Sequence, residues 1–403
     1  MRKFLQNLKG DKVIWAVVLI LSLFSILAVY SSTGTLAYRN KSGNTEYYLI
    51  KHLCIMALGL VLMYFAHLVR YQLYSRISQI AVFLAIPLLF LTLVTGSSLN
   101  EASRWLTLPV ININFQTSDL AKLAIIIYLA RLVSKKQDQI KDFKTGFLPI
   151  MLPVVIICLL ILPANFSTAA ILFATCLILM FVGRVSSKYI IYLIGVMIVT
   201  GGLFIFVLMQ THTKGRLGTW HNRIETFFDK SKQNPDEMYQ INQSKIAVAT
   251  GGFLGKFPGN STQRNMLPQA YSDFIYAIII EEYGFLGGVF MLLLYLILLY
   301  RGIRIATRCE TTFGALLGLG VSFILVFQAM INMAIVVGLF PVTGQPLPLV
   351  SMGGTSIWFT SIGIGIMLSI SRANDETEKQ KLAEAQNTEE ETKQNVENAT
   401  AEI

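Results

Sequence analysis

Apolar residues run along this chain in long unbroken blocks rather than in alternation. The blocks fall at approximately 13–31, 48–68, 76–95, 119–134, 147–163, 166–183, 189–209, 272–299, 311–334 and 355–371. A helix crossing a bilayer needs about 20 predominantly apolar residues, so the pattern predicts an all-α integral membrane protein of about ten transmembrane helices. A closed β-barrel is excluded, because its strands would alternate. The first block, Val13 to Tyr30, is too long for a signal-peptide core and lacks a convincing small-residue cleavage site, so it reads as a retained span. The polar remainder falls into a long loop at 210–271, between spans seven and eight, and a tail from Asn374 rich in Glu, Lys, Gln, Asn and Thr. Such a tail cannot form a core and is expected to be disordered, or at most transiently helical. The loop 96–118 mixes Trp105, Leu106, Leu108, Val110, Ile111 and Ile113 with polar residues, as a segment lying at the outer interface would. The expected organisation is a cytoplasmic N-terminus at 1–12, a membrane domain at 13–371 and a disordered cytoplasmic tail at 372–403.

Charge orients the bundle. Loops 69–75, 135–146, 184–188 and 300–310 carry Arg70, Lys135, Lys136, Lys141, Lys144, Arg184, Lys188, Arg301, Arg304 and Arg308, whereas the short loops opposite carry Arg39, Lys41 and Arg104. Positive charge stays inside, so both termini are expected in the cytoplasm and the long loop outside. The composition agrees, with 54% of residues apolar and 14% charged, against about a quarter charged in soluble domains. The net charge of +10 distributes as topology requires and forms no long basic run, so nucleic-acid binding is not expected. The four cysteines and four histidines are too scattered for a disulfide framework or a zinc site. No P-loop, dinucleotide fingerprint or Ser–His–Asp order is present, and no nucleotide cofactor is expected.

Polar residues in or beside apolar blocks are the candidate chemistry, because they are expensive there. Asp273 stands where the long loop meets the eighth block. It reads either as a cap on that helix or as a general base at the membrane–water border. Glu281 and Glu282 follow. Along one helix Glu281 is expected about 12 Å deeper than Asp273, too far for paired glycosidase carboxylates at roughly 5–9.5 Å. A buried glutamate instead suits an ion pair with a neighbouring helix. Asp119 and Lys122 share one helix face and form either a local ion pair or a charged group facing a cavity. Arg216 and Arg223 in the outer loop, with Lys245, Lys256 and Arg264, read as headgroup contacts or as a pyrophosphate clamp. The Pro- and Gly-rich run 341–354, with Ser351, cannot be regular helix. It must be packed in protein or line a wet cavity. Gln328 and Asn332, one turn apart on the preceding span, are expected to hydrogen-bond a neighbouring helix.

Three long strings narrow this further. YQINQSKIAVATGGFLGKFPGNSTQRNMLPQAYSDFIYAIIIEEYGFLGG, NMAIVVGLFPVTGQPLPLVSMGGTS and RWLTLPVININFQTSDLAKLAIIIYLA resemble signature regions of the SEDS family (shape, elongation, division and sporulation). The resemblance covers residues 13–371, and GNSTQRNMLPQA is closer to the division branch than to the elongation branch. It implies a peptidoglycan glycosyltransferase polymerising lipid II, with inversion, on an undecaprenyl-pyrophosphate-linked glycan at the outer face of the cytoplasmic membrane. It implies action at the division septum, with a class B penicillin-binding protein and other divisome membrane proteins as partners. The family's essential aspartate falls on Asp273, its loop arginines on Arg216 and Arg223, and its lysine after QPSE on Lys122; Lys256 joins them as a substrate-binding candidate. A divalent cation, Mg2+ or Mn2+, is a candidate cofactor for the leaving pyrophosphate. The chain departs from the family pattern at Gln116–Asp119, which reads QTSD. It departs again at Pro163–Thr168, which lacks an aspartate, and at Lys51-His52, where the family has Arg-Gln. Two other classes remain open on these residues, a lipid II flippase and a non-catalytic divisome scaffold.

Overall fold

A computed structural model of the chain describes residues 9–34, 36, 38, 44–95, 97–99, 102–108, 113–210 and 235–401. Its helices are α1 (Lys12–Ser32), α2 (Thr45–Leu68), α3 (Tyr71–Thr95), α4 (Thr117–Lys135), α5 (Leu148–Ile161), α6 (Phe166–Val182), α7 (Ser187–Gln210), α8 (Pro235–Gly251), α9 (Ile275–Arg308), α10 (Thr312–Val336) and α11 (Thr355–Ala401). All ten apolar blocks are helical. Seven described helices, α1, α2, α3, α5 with its preceding turn, α9, α10 and α11, are long and apolar enough to cross a membrane, and α6 and α7 are shorter apolar helices. The fourth block, α4, is less apolar because it carries Asp119, Lys122, Arg131 and Lys135.

Local chemistry sets several helix starts. Asp11 Oδ1 accepts from Val13 N at 2.8 Å and Ile14 N at 3.3 Å. Asn44, Asn165 and Thr311 cap α2, α6 and α10 in the same way, each satisfying an amide that the helix leaves unpaired. Where helices cross in the bundle centre the residues are small. Gly302 on α9 lies against Ser322 on α10, and Gly320 against Ile126 and Leu179. Close backbone approach of this kind is what holds helices together in lipid.

Three segments differ from the sequence expectation. The loop 96–118 contains a small antiparallel sheet, β1 (Ser97–Leu99), β2 (Ala102–Leu108) and β3 (Ile113–Gln116), in the order β1-β2-β3, with Trp105 opposite Gln116 and Leu108 opposite Ile113. Apolar and polar residues alternate in Ile113–Gln116, and pairing satisfies backbone groups that an irregular interfacial loop would leave open. The long loop 210–271 contributes α8. The tail, expected to be disordered or at most transiently helical, continues α11 as helix to Ala401. Its Ala, Glu, Lys and Gln are strong helix formers, and ion pairs join it to the bundle: Lys9–Glu376 at 3.7 Å and Lys381–Glu310 at 2.5 Å. Its side chains beyond Lys379 are exposed as far as they are described, so it adds no core.

The most consequential departure is in α9. The helix is interrupted at Gly284, whose φ of 69° and ψ of −170° are not helical. Tyr276 Oη donates to the Gly288 carbonyl at 3.0 Å, and a Cβ on Gly288 would lie 3.0 Å from Ile280 Cγ1. In a straight helix residues 276 and 288 are about 18 Å apart along the axis. The segment 275–283 therefore folds back across the start of 285–308.

Contacts with neighbouring helices fix the direction of this fold. Glu282 bonds Ser31 near the C-terminal end of α1, while Arg301 bonds Asp11 at its N-terminal end. Ser25, about 9 Å from Ser31 toward the N-terminus of α1, donates to Val350 O at 2.7 Å. Two residues on, Met352 N donates to Tyr271 O at 3.0 Å. The turn holding Asp273 thus lies roughly 10 Å from Glu282 toward the Asp11 end of α1. The sequence expectation placed Glu281 deeper than Asp273, and the structure reverses it. Two irregular segments, 265–274 and 341–354, meet inside the bundle.

Candidate active site

Non-helical backbone inside a membrane bundle needs partners for its N–H and C=O groups, and single polar side chains supply them here. Asn332 Nδ2 donates to the carbonyls of Asp273 at 2.8 Å and Gln345 at 2.7 Å. One turn earlier on α10, Gln328 Nε2 donates to Pro346 O at 3.0 Å. Tyr295 Oη donates to Pro348 O at 2.5 Å. Ser351 Oγ donates to Ser272 O at 2.6 Å and accepts from Leu347 N at 2.7 Å. Gln328 and Asn332 were expected to bond a neighbouring helix. Gln328 does so through Lys122 on α4; the remaining partners of both residues are the two re-entrant segments.

Asp273 sits at the meeting point of these segments. Its carboxylate accepts from the Ser272 hydroxyl at 2.9 Å. The N-cap of α9 is Phe274, whose own side chain makes no capping bond. The aspartate precedes the cap, on a half-buried turn whose backbone is pinned from α10 and from 341–354.

Beside this turn runs a polar string. Lys122 Nζ contacts Asp119 Oδ1 at 2.7 Å and donates to Gln328 Oε1 at 3.0 Å. Both alternatives for the pair hold at once, since it is a local ion pair and also lines a cavity of about 50 Å³ with Gln328, Pro348, Ser356 and Phe359. Asp119 Oδ2 and Asn332 Oδ1 are buried without hydrogen-bond partners among the described residues. Buried oxygens of this kind cost about 1–3 kcal/mol each when unmatched, so the string retains acceptor capacity for a ligand or water.

The glutamates do different work. Glu281 is fully buried and organises the outer loop. Its Oε1 contacts Lys256 Nζ at 2.7 Å and accepts from Thr262 Oγ1 at 2.8 Å, while Oε2 accepts from Gln263 N at 3.1 Å and from the Ser261 hydroxyl. The expected partner was a basic residue on a neighbouring helix; the partner is a loop lysine. Lys256, a substrate-binding candidate from sequence, is thereby committed to Glu281. Replacing Lys256 by Met should lower stability by about 2 kcal/mol, below the 3–5 kcal/mol of a fully buried pair because the lysine is partly exposed. Thermal unfolding in detergent reads the loss, and Lys256→Arg should recover most of it. Arg264 Nη1 approaches Ser31 O at 3.4 Å and Ser31 Oγ at 3.3 Å, beside Glu282.

Arg216 and Arg223 lie outside the described residues. Among the described residues no group of three or more His, Cys, Asp or Glu converges as a metal site, so these side chains alone do not form a cage for the expected divalent cation. The departed motifs have structural roles. Asn165 Oδ1 caps α6 through Thr168 N at 3.1 Å, and Gln345 reaches the Thr168 hydroxyl. His52 Nε2 lies 2.8 Å from Ser25 Oγ, behind Val350. Sequence reasoning missed Ser25, Tyr295 and Gln345 as supports of the site. Ser25 had a readable signal, a hydroxyl inside an apolar block, which it shares with Ser22 and Ser31; Tyr295 had none.

The chain was compared with known proteins. The model of the cell cycle protein family FtsW/RodA/SpoVE matches residues 11–376. A relative in Trichlorobacter lovleyi named as peptidoglycan glycosyltransferase FtsW is 34% identical, over 92% of this chain and 95% of its own. Stage V sporulation protein E of Bacillus subtilis is 32% identical over 90% and 97%. A solved chain described under structural coordination of polymerization and crosslinking by a peptidoglycan synthase complex superposes with a TM-score of 0.71 at 22% identity, covering 91% of this chain and 98% of that one. This last likeness concerns the fold.

Proposed function

The chain belongs to the FtsW/RodA/SpoVE family, and from that premise we propose that it is a peptidoglycan glycosyltransferase of the FtsW type, which polymerises lipid II at the outer face of the cytoplasmic membrane. The relatives' names support the activity and the division branch. Asp273 is the general base of this proposal. The observation that carries it is the placement of Asp273 ahead of the helix cap, on a pinned re-entrant turn beside the Lys122 string.

In the reaction, the acceptor sugar hydroxyl of lipid II attacks the anomeric carbon of the glycan donor. Asp273 takes the hydroxyl proton as the new C–O bond forms, and the bond to undecaprenyl pyrophosphate breaks with inversion. The leaving group carries the negative charge, which fixed cations stabilise as it develops. Lys122 is the described residue suited to this, with Arg216 and Arg223 joining it from the outer loop. The positive pole at the start of 275–283 faces the same turn. A divalent cation, when bound, supplies further charge neutralisation. A class B penicillin-binding protein and other divisome membrane proteins complete the proposed setting at the septum.

Purified protein incubated with labelled lipid II tests the reading. Polymer supports it, translocated monomer points to a flippase, and neither product with an added transpeptidase partner points to a scaffold. The proposal also includes ten spans with both termini inside. Single cysteines at Asn260 and Asn374, with the reactive native cysteines replaced, should respectively take and escape an impermeant thiol reagent added to sealed cells. Labelling at Asn374 would overturn that topology.

A further inference from the structure

The outer loop contains a segment whose polarity is turned inside out. In Gly252–Phe257, Phe253, Leu254 and Phe257 are 63%, 69% and 70% exposed, while the charged Lys256 turns inward to Glu281. A loop facing water would do the reverse. The segment is not loose. Phe285 N donates to Gly252 O at 2.9 Å, Leu286 N to Phe253 O at 3.4 Å and Lys256 N to Glu281 O at 2.9 Å. These bonds use the backbone groups that the break in α9 sets free, so the loop tip is clamped to the helix at Gly284. Phe257 is held at a φ of 69°, a conformation unfavourable for a bulky residue.

The tip is continuous with the apolar surface of α9. The Phe253 ring stacks on that of Phe285, with centroids 6.2 Å apart, and Phe285, Leu286 and Leu293 are themselves exposed. The tip also lies at the level of Ser31, at the outer end of α1. Aromatic residues concentrate at that level of a membrane protein, and a clamped apolar tip with its charge turned inward suits acyl chains. We infer that the tip at 253–257 is a membrane-inserted anchor, with Phe253, Leu254 and Phe257 in the outer leaflet among lipid acyl chains. The inference rests on the membrane-spanning reading above. It gives the loop a fixed height at the bilayer surface, from which 258–272 descends to Asp273.

Nitroxide accessibility in lipid nanodiscs tests it. Cys54 and Cys309 are replaced; Cys158 and Cys176 are buried and stay. Spin labels at Leu254→Cys and Phe257→Cys should collide with oxygen in preference to a water-soluble nickel chelate, matching a label at Leu293→Cys on α9. A label at Asn260→Cys should show the opposite preference. Labels at 254 and 257 that behave like the one at 260 would overturn the anchor while leaving the spanning reading intact. Labels shielded from both reagents would overturn it in favour of a covering protein surface, such as a second copy. An aqueous signal at 293 would overturn both readings together.

Discussion

Asp273→Asn should leave the protein inserted and melting like the unsubstituted chain while glycan synthesis falls by about 10²-fold or more, the usual worth of a general base. The substitution separates the two readings of this residue cleanly. Asn keeps the shape and a hydrogen-bonding oxygen, and it ranks with Asp as a helix cap. A capping role would therefore survive it. The backbone contacts that place the turn come from Asn332 and Ser351 and do not involve the Asp273 carboxylate, so they persist in the variant. What Asn cannot do near neutral pH is accept the acceptor's proton. Polymer formation from labelled lipid II at matched protein levels is the measurement. A rate within a few-fold of the unsubstituted protein would remove Asp273 from the mechanism. Asp273→Glu keeps the base but moves it by a methylene, and is expected to retain partial activity.

The sequence was most legible where physics acts on long segments. Each apolar block is a helix because a block of that length and composition has few other ways to satisfy its backbone in lipid. Asp273, Lys122, Gln328 and Asn332 stood out because polar groups in apolar blocks are costly, and the structure brings them to one region. The path of the chain between them was not legible. Nothing in IEEYGFLGG announces that the helix breaks at Gly284, because glycines also occur in continuous membrane helices. Gly320 does so within α10. Period and rise therefore placed Glu281 inward of Asp273. The side chains that support the re-entrant segments come from α1, α9 and α10, hundreds of residues apart in places, as with Ser25 and Val350. Such pairings are fixed by the packing of the whole bundle and leave no local pattern.

The fold-back at Gly284 is also where a single methyl group should do the most structural damage. A Cβ there would lie 2.3 Å from Phe253 O and 2.5 Å from Gly255 N, backbone atoms that cannot swing aside as a side chain would. The φ of 69° adds a conformational cost of about 1–3 kcal/mol for a non-glycine residue. Gly284→Ala can relieve both only by releasing the loop or by straightening the helix. Straightening would pull Tyr276 from Gly288 and carry Asp273 outward, away from Asn332. The variant is expected to lose at least about 2 kcal/mol of stability, the conformational cost alone being of that order, and to lose polymerisation with it. Gly255→Ala, whose Cβ would meet Glu282 O at 2.2 Å, should behave alike because it strikes the same clamp from the other side. Gly201→Ala in α7, where no atom lies within 4 Å, should be neutral or slightly stabilising. Thermal unfolding and lipid II polymerisation of the three variants, side by side, read these expectations. If Gly284→Ala melts and polymerises like the unsubstituted protein, the clamp does not hold Asp273 in place.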